Sequence, residues 1–143
     1  MAIDQISVFV ENKQGKLQEV LDVVGGAGVD LRAMSLADTA DFGILRIIAD
    51  DPKNARRLIT EAGFVSSITP VLAVAVPDSP GGLASVTRVL TQGGVSIEYL
   101  YVFITHESET ASVIIRADDN DKAAALLEAA GIRQLRKEEV YKD

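Results

Sequence analysis

The chain has 143 residues, 48% of them hydrophobic, and its 21 acidic against 14 basic side chains give a formal charge of −7. Phosphate binding relies on clustered Lys and Arg, so this balance excludes nucleic acid as the expected partner. The absence of cysteine excludes disulfides and thiolate metal sites. The opening Met1-Ala2-Ile3-Asp4-Gln5 has no basic segment leading into a long apolar one, and no stretch approaches the ~20 residues of a membrane span. A cytoplasmic protein without membrane contact is the expectation.

Gln5 to Glu11 reads as a strand, and Asn12-Lys13-Gln14-Gly15-Lys16-Leu17 as the turn that carries it into a helix ending near Ala27. Leu17, Val20, Leu21 and Val24 fall at i, i+3, i+4 and i+7, which makes one apolar stripe, and Gly25, Gly26 and Gly28 stop it. Val29 to Ala37 is expected as a second strand, Thr39-Ala40-Asp41 as a tight turn, and Phe42 to Ala49 as a third strand. Asp51-Pro52 starts a helix, with an N-cap followed by proline at the first helical position, and Gly63 closes it. A short strand, Phe64 to Ile68, reaches Thr69-Pro70.

The order then repeats. A strand at Val71 to Val76 enters Asp78-Ser79-Pro80-Gly81-Gly82-Leu83, followed by a helix to Gln92, strands at Val95 to Thr105 and Thr110 to Arg116, and a helix from Asn120 to Ala130. The tail, Ile132 to Val140, is expected as a last strand. Gly15 matches Gly81 at an offset of 66 (81 − 15), as Leu17 does Leu83 and Val20 does Val86. Ala49-Asp50-Asp51 matches Ala117-Asp118-Asp119 at 68 (117 − 49), which places a two-residue insertion near His106-Glu107-Ser108-Glu109. The chain is therefore a duplication, with domains expected at 1–69 and 70–143. The fold class is α+β: two tandem ferredoxin-like β-α-β-β-α-β halves with antiparallel sheets. The link at Thr69-Pro70 is short enough for the last strand of one half to run into the first strand of the next.

Each glycine turn joins a strand to a helix, so the first free helix amides point into the space beside it, an arrangement that suits a small anion such as a carboxylate. The plain alternative is that both are only turns, with Asn12 and Asp78 capping the helices. Tyr99, Tyr101 and Phe103 alternate onto one face and read as core, with a tyrosine tip at a pocket as the functional alternative. Leu100, Val102 and Ile104 are assigned to an open sheet face that needs a cover, either within the chain or in a homodimer. His106, the single histidine, has no nucleophile or acid arranged with it, so neither catalytic residues nor a metal or cofactor are expected.

The Glu11-Asn12-Lys13-Gln14-Gly15-Lys16-Leu17 turn followed by Gly28-Val29-Asp30-Leu31, and Pro77-Asp78-Ser79-Pro80-Gly81-Gly82-Leu83 followed by Gly94-Val95-Ser96-Ile97, resemble ACT domains. These are small regulatory modules that bind amino acids. The resemblance covers almost the whole chain as two tandem copies. It implies a ligand between paired domains, against the first turn and the start of the second strand. Carried over, the contacts are Asn12, Gly15, Lys16, Leu17, Asp30 and Leu31 in one copy. In the other they are Asp78, Ser79, Pro80, Gly81, Gly82, Leu83, Ser96 and Ile97. The family's usual asparagine after Gly-Val is Asp30 here and Ser96 there, and the copies differ at Lys16 and Gly82, so unequal binding is expected.

The resemblance thus implies a non-enzymatic sensor that binds a free amino acid and regulates amino-acid metabolism through an enzyme or regulator partner. One rival is a dedicated regulatory subunit similar to the small subunit of acetolactate synthase. A second is an acylphosphatase-like hydrolase, which needs an arginine at the first turn where this chain has only Lys13 and Lys16.

Overall fold

The computed structural model describes residues 2–38, 41–103 and 110–141. The elements in order are β1 (Ile3–Glu11), α1 (Lys16–Gly26), β2 (Leu31–Asp38), β3 (Phe42–Ala49), α2 (Pro52–Glu61) and β4 (Val65–Pro77). They continue with α3 (Gly82–Gln92), β5 (Ile97–Phe103), β6 (Thr110–Ala117), α4 (Asn120–Ala129) and α5 (Lys137–Tyr141). Two compact units divide between Thr69 and Pro70, inside β4, and Ala2 and Ile3 group with the second unit.

In the first unit the sheet order is β2-β3-β1-β4, with β3 antiparallel to both β1 and β2. Ile6, Val8 and Val10 of β1 face the helices together with Leu45 and Ile47 of β3, and Val20, Val24, Ala55 and Ile59 close the core from α1 and α2. Period-2 alternation on the strands and the i, i+4 spacing of Val20 and Val24 place every one of these side chains on the shared surface. The second unit builds the same core from Leu72, Val74 and Val76, with Val113 and Ile115 across from them and Val86, Leu90, Ala123 and Leu127 above. Fully burying a side chain of this size stabilises by about 1.5 to 3 kcal/mol.

Proline in mid-strand normally argues against a strand, because it has no N–H to give to the ladder. Here Pro70 lies outside the β4–β6 ladder, which begins at Leu72. Its carbonyl instead accepts hydrogen bonds from Arg116 Nη1 and Asn120 Nδ2, both at 2.9 Å.

Two sequence expectations are corrected. The tail is not a strand: Gln134 makes one bridge to Val74, flanked by Ala75 N–H to Arg133 O at 2.9 Å and Leu135 N–H to Ala73 O at 2.8 Å, and α5 follows. The run Arg136-Lys137-Glu138-Glu139 consists of good helix formers, and Glu139 pairs with Arg136 one turn back and with Arg133. Leu100 lies on the helix-packed face, across from Ile115 and against its core, while Val102, across from Val113 on the same side of β5, is 58% exposed. Tyr101 and Phe103 are buried on the opposite face, with Tyr99 stacked on Tyr101 at 6.5 Å between ring centroids. The expected turn at Thr39-Ala40, the strand end at Ile104-Thr105 and the insertion at His106-Glu107-Ser108-Glu109 lie outside the described residues. No described helix is long and apolar enough to cross a membrane.

Candidate functional site

The first turn forms where β1 runs out of partners. Asn12 N–H bonds to Asp41 O at 3.1 Å, Lys13 N–H to Glu11 O at 2.8 Å and Lys16 N–H to Lys13 O at 3.3 Å. Gly15 occupies the N-cap of α1 at φ 87°, a left-handed conformation that favours glycine, and no side chain caps the helix. The amides of Gly15, Leu17 and Gln18 therefore have no partner among the described residues. Glu11 and Lys13 pair at 3.1 Å, and Lys16 pairs with Glu19 at 3.4 Å. The Lys13 hydrogen bond and charge, with Lys16 adding to them, hold the Glu11 carboxyl below its usual value, so it stays ionised.

Beside this turn lies a pocket of about 230 Å³ lined by Val10, Glu11, Asn12, Lys13, Leu17, Leu36 and Gly43. Leu36, at the far edge strand, is 52% exposed although it shares the face of the core residue Leu45. Gly43 sits across from Val10, and a Cβ there would come within 3.3 Å of Leu36 Cδ1. Asn12 and Leu17, expected from sequence, are thus joined by Val10, Glu11, Lys13, Leu36 and Gly43, which were not. The signal that could have found them is Gly43 itself, an isolated glycine inside an apolar strand.

The second turn has the same backbone and a different interior. Ser79 N–H bonds to Pro77 O at 2.9 Å, Gly82 N–H bonds to Ser79 O at 3.0 Å, and Gly81 is at φ 83°. Among the described residues no side chain caps α3, and the amides of Gly81, Leu83 and Ala84 are unbonded. Gly82 replaces Lys16 and is buried so tightly that a Cβ would lie 2.1 Å from Pro77 O. Asp78, Ser79 and Pro80 are exposed, and Leu83 is at the margin of exposure. Asn12 and Asp78 cap neither helix, because the capping position belongs to the glycine in each copy.

The remaining expected residues lie at the other end of each unit. Leu31 is across from Ala49 and Asp38 across from Gly43, so the start of β2 is seven residues of strand from the turn, roughly 20 Å at about 3.3 Å per residue. Ile97, across from Ala117, is placed likewise in the second unit. A small ligand can touch both a turn and a β2 start only if they come from different copies of the unit. Asp30 is also engaged: its carboxylate accepts from Arg32 Nη1 at 3.0 Å. Both strand starts carry a β-bulge, at Arg32 and at Glu98, which the sequence did not signal. Such bulges re-aim side chains, here turning Arg32 onto Asp30 and Glu98 toward Arg116 at 3.5 Å. No three described His, Cys, Asp or Glu side chains are grouped to hold a metal ion.

Comparison with known proteins supplies the family context. The ACT domain pair family matches residues 1–142. Protein BT0572 from Bacteroides thetaiotaomicron is similar at 38% identity and a TM-score of 0.93, over 100% of this chain and 98% of that one. The ligand-free regulatory subunit of aspartate kinase from Thermus thermophilus shares the fold at 18% identity and a TM-score of 0.64, over 89% and 91% of the two chains. The corresponding subunit from Thermus flavus does so at 18% and 0.60, over 90% and 92%. No curated protein matches the sequence.

Proposed function

The chain belongs to the ACT domain pair family, and on that premise we propose that it is a non-catalytic regulatory protein that binds a free amino acid and biases a partner in amino-acid metabolism. The two ACT domains are taken as 1–69 and 70–143, and the protein acts in the cytoplasm. The observation that carries the reading is the pocket of about 230 Å³ beside unbonded helix amides at the first turn. It is below the ~300 Å³ at which drug-sized ligand pockets begin, a size suited to a single amino acid. The amides of Gly15, Leu17 and Gln18, with Lys16 near them, suit the ligand's carboxylate, and Glu11 suits its ammonium.

A second wall is supplied by another ACT unit in a homodimer. Its β2 start contributes the Asp30-Leu31 or Ser96-Ile97 contacts that one unit cannot bring to its own turn. Exposed Phe9, Met34, Leu36 and Phe42 supply apolar surface for such pairing. Ser79, Pro80, Gly81, Gly82 and Leu83 form the corresponding wall in the second copy. The aspartate kinase relatives are described as regulatory subunits, which favours a second reading in which this chain works on a biosynthetic enzyme. Co-purification with such an enzyme separates the two readings. An acylphosphatase reading lacks the arginine it needs at the first turn.

The test is a thermal-shift screen of the full chain against the twenty amino acids. A ligand at a hundred times its Kd adds about 2.7 kcal/mol to stability and raises the melting temperature. No shift with any amino acid overturns the proposal.

A further inference from the structure

The two copies of the turn share a backbone and differ in the side chains around it. In the first unit three apolar side chains, Val10, Leu17 and Leu36, line the pocket beside the turn, and the charged residues of that lining, Glu11 and Lys13, pair with each other at 3.1 Å. In the second unit the residues standing for Glu11, Asn12 and Lys13 are Pro77, Asp78 and Ser79, so the charge pair is replaced by a single carboxylate with no cation beside it in the turn. Strand register makes Ala111 the counterpart of Gly43, since Val10 lies across from Gly43 and Val76 across from Ala111. Gly82, in place of Lys16, is packed against the Pro77 carbonyl.

We infer that the first unit alone holds the ligand, and that this ligand is an amino acid with a neutral aliphatic side chain whose size Gly43 and Leu36 limit. This rests on the amino-acid-binding reading above and deepens it. A zwitterion matches the turn, its ammonium to Glu11 and its carboxylate to the free helix amides with Lys13 at the rim. After that match no charge is left among the lining residues for a lysine, arginine, aspartate or glutamate side chain, which would lie unpaired against Val10, Leu17 and Leu36. An aliphatic chain gains from the same surface. The glycine keeps the floor open: a methyl at 43 presses on Leu36 Cδ1 at 3.3 Å and takes the space of a ligand carbon.

The experiment is isothermal titration of the full chain with L-valine, L-leucine, L-isoleucine and L-methionine, and with L-lysine and L-aspartate. The expected result is saturable binding of the aliphatic set at one site per chain and none of the charged pair. Gly43→Ala is expected to weaken the largest aliphatic ligand roughly tenfold or more, as one methylene does in an apolar pocket. Leu36→Glu changes an exposed position, so the fold tolerates it. It is expected to remove aliphatic binding while the circular dichroism spectrum stays that of the wild type. Preference for a charged amino acid, two sites per chain, or aliphatic binding unchanged in Leu36→Glu overturns the inference and leaves the amino-acid-binding reading standing. Failure of every amino acid to bind overturns both.

Discussion

Asp118 Oδ1 accepts the amide of Ser96 at 3.1 Å, and the Asp118 amide returns a hydrogen bond to the Ser96 carbonyl at 3.0 Å. The first unit repeats the arrangement between Asp50 and Asp30 at 3.1 and 3.0 Å. These paired bonds fix the residue after Gly-Val in each copy and launch the bulged strand that follows. Asp118→Ala and Asp50→Ala each lose the side-chain acceptor and are expected to cost about 1 kcal/mol. Asp118→Asn keeps an acceptor oxygen and is expected to cost less. Urea midpoints of the variants decide the order.

Helix capping separates the two kinds of helix start. Asp51 accepts from Asn54 N–H at 3.2 Å and Asp119 from Lys122 N–H at 3.0 Å, so replacing either by alanine is expected to destabilise by about 1 kcal/mol. Asn12→Ala and Asp78→Ala remove no cap and are expected to change stability by less than about 0.5 kcal/mol. Equal melting losses at all four positions would show that Asn12 and Asp78 support the helices after all.

Two tightly packed glycine sites, the buried Gly82 and the half-buried Gly93, should respond differently to a methyl group. At Gly82 the new Cβ meets a backbone oxygen, Pro77 O, at 2.1 Å, so the strand or the helix must move. At Gly93 the nearest atom, at 2.3 Å, is Cδ1 of Leu126, which can rotate away. Gly82→Ala is expected to cost about 1 to 3 kcal/mol, as overpacking usually does, and Gly93→Ala less. Thermal denaturation of the two variants provides the comparison.

Acid should loosen α5 through Glu139. Burial raises the pKa of this carboxyl, but hydrogen bonds from the side chain and amide of Arg136, with the charges of Arg133 and Arg136, outweigh it and leave the pKa below 4.5. A folded-state pKa that is depressed gives stability present above the unfolded value and lost as pH falls through the folded one. Glu139→Gln is therefore expected to be less stable than wild type at neutral pH, with the gap closing below about pH 4.5. Chemical denaturation of both proteins across that range measures it.

Most of the fold was legible because it is written in periodicity. Val20 and Val24 on α1, Val8 and Val10 on β1, and the glycine stops all follow from spacing, and the repeat supplied each element twice. Which face Leu100 took was not legible. Both faces of β5 are apolar, so alternation could not choose between them, and only the register against Ile115 does. The tail misled because Ile132 and Val140 are strand formers in isolation, while the intervening charged run pairs locally through Glu139. For the site, the turn could be read from Gly15 and Leu17. Leu36 and Gly43 reach it through strand pairing between distant parts of the sequence, which no local pattern encodes.

The continuity of β4 has a consequence for anyone trying to take the molecule apart. A protease needs a stretch of backbone that can leave the fold and extend into its cleft, which is why cleavage concentrates at exposed loop tips. Around the Thr69–Pro70 boundary there is no such loop. Thr69 Oγ1 is tied to Ser7 Oγ at 3.0 Å, the Pro70 carbonyl is held from two sides, and Val71 to Val74 are fully buried. Nicking at the midpoint would have to wait for the strand to unravel, so digestion should degrade the protein without releasing a matched pair of halves.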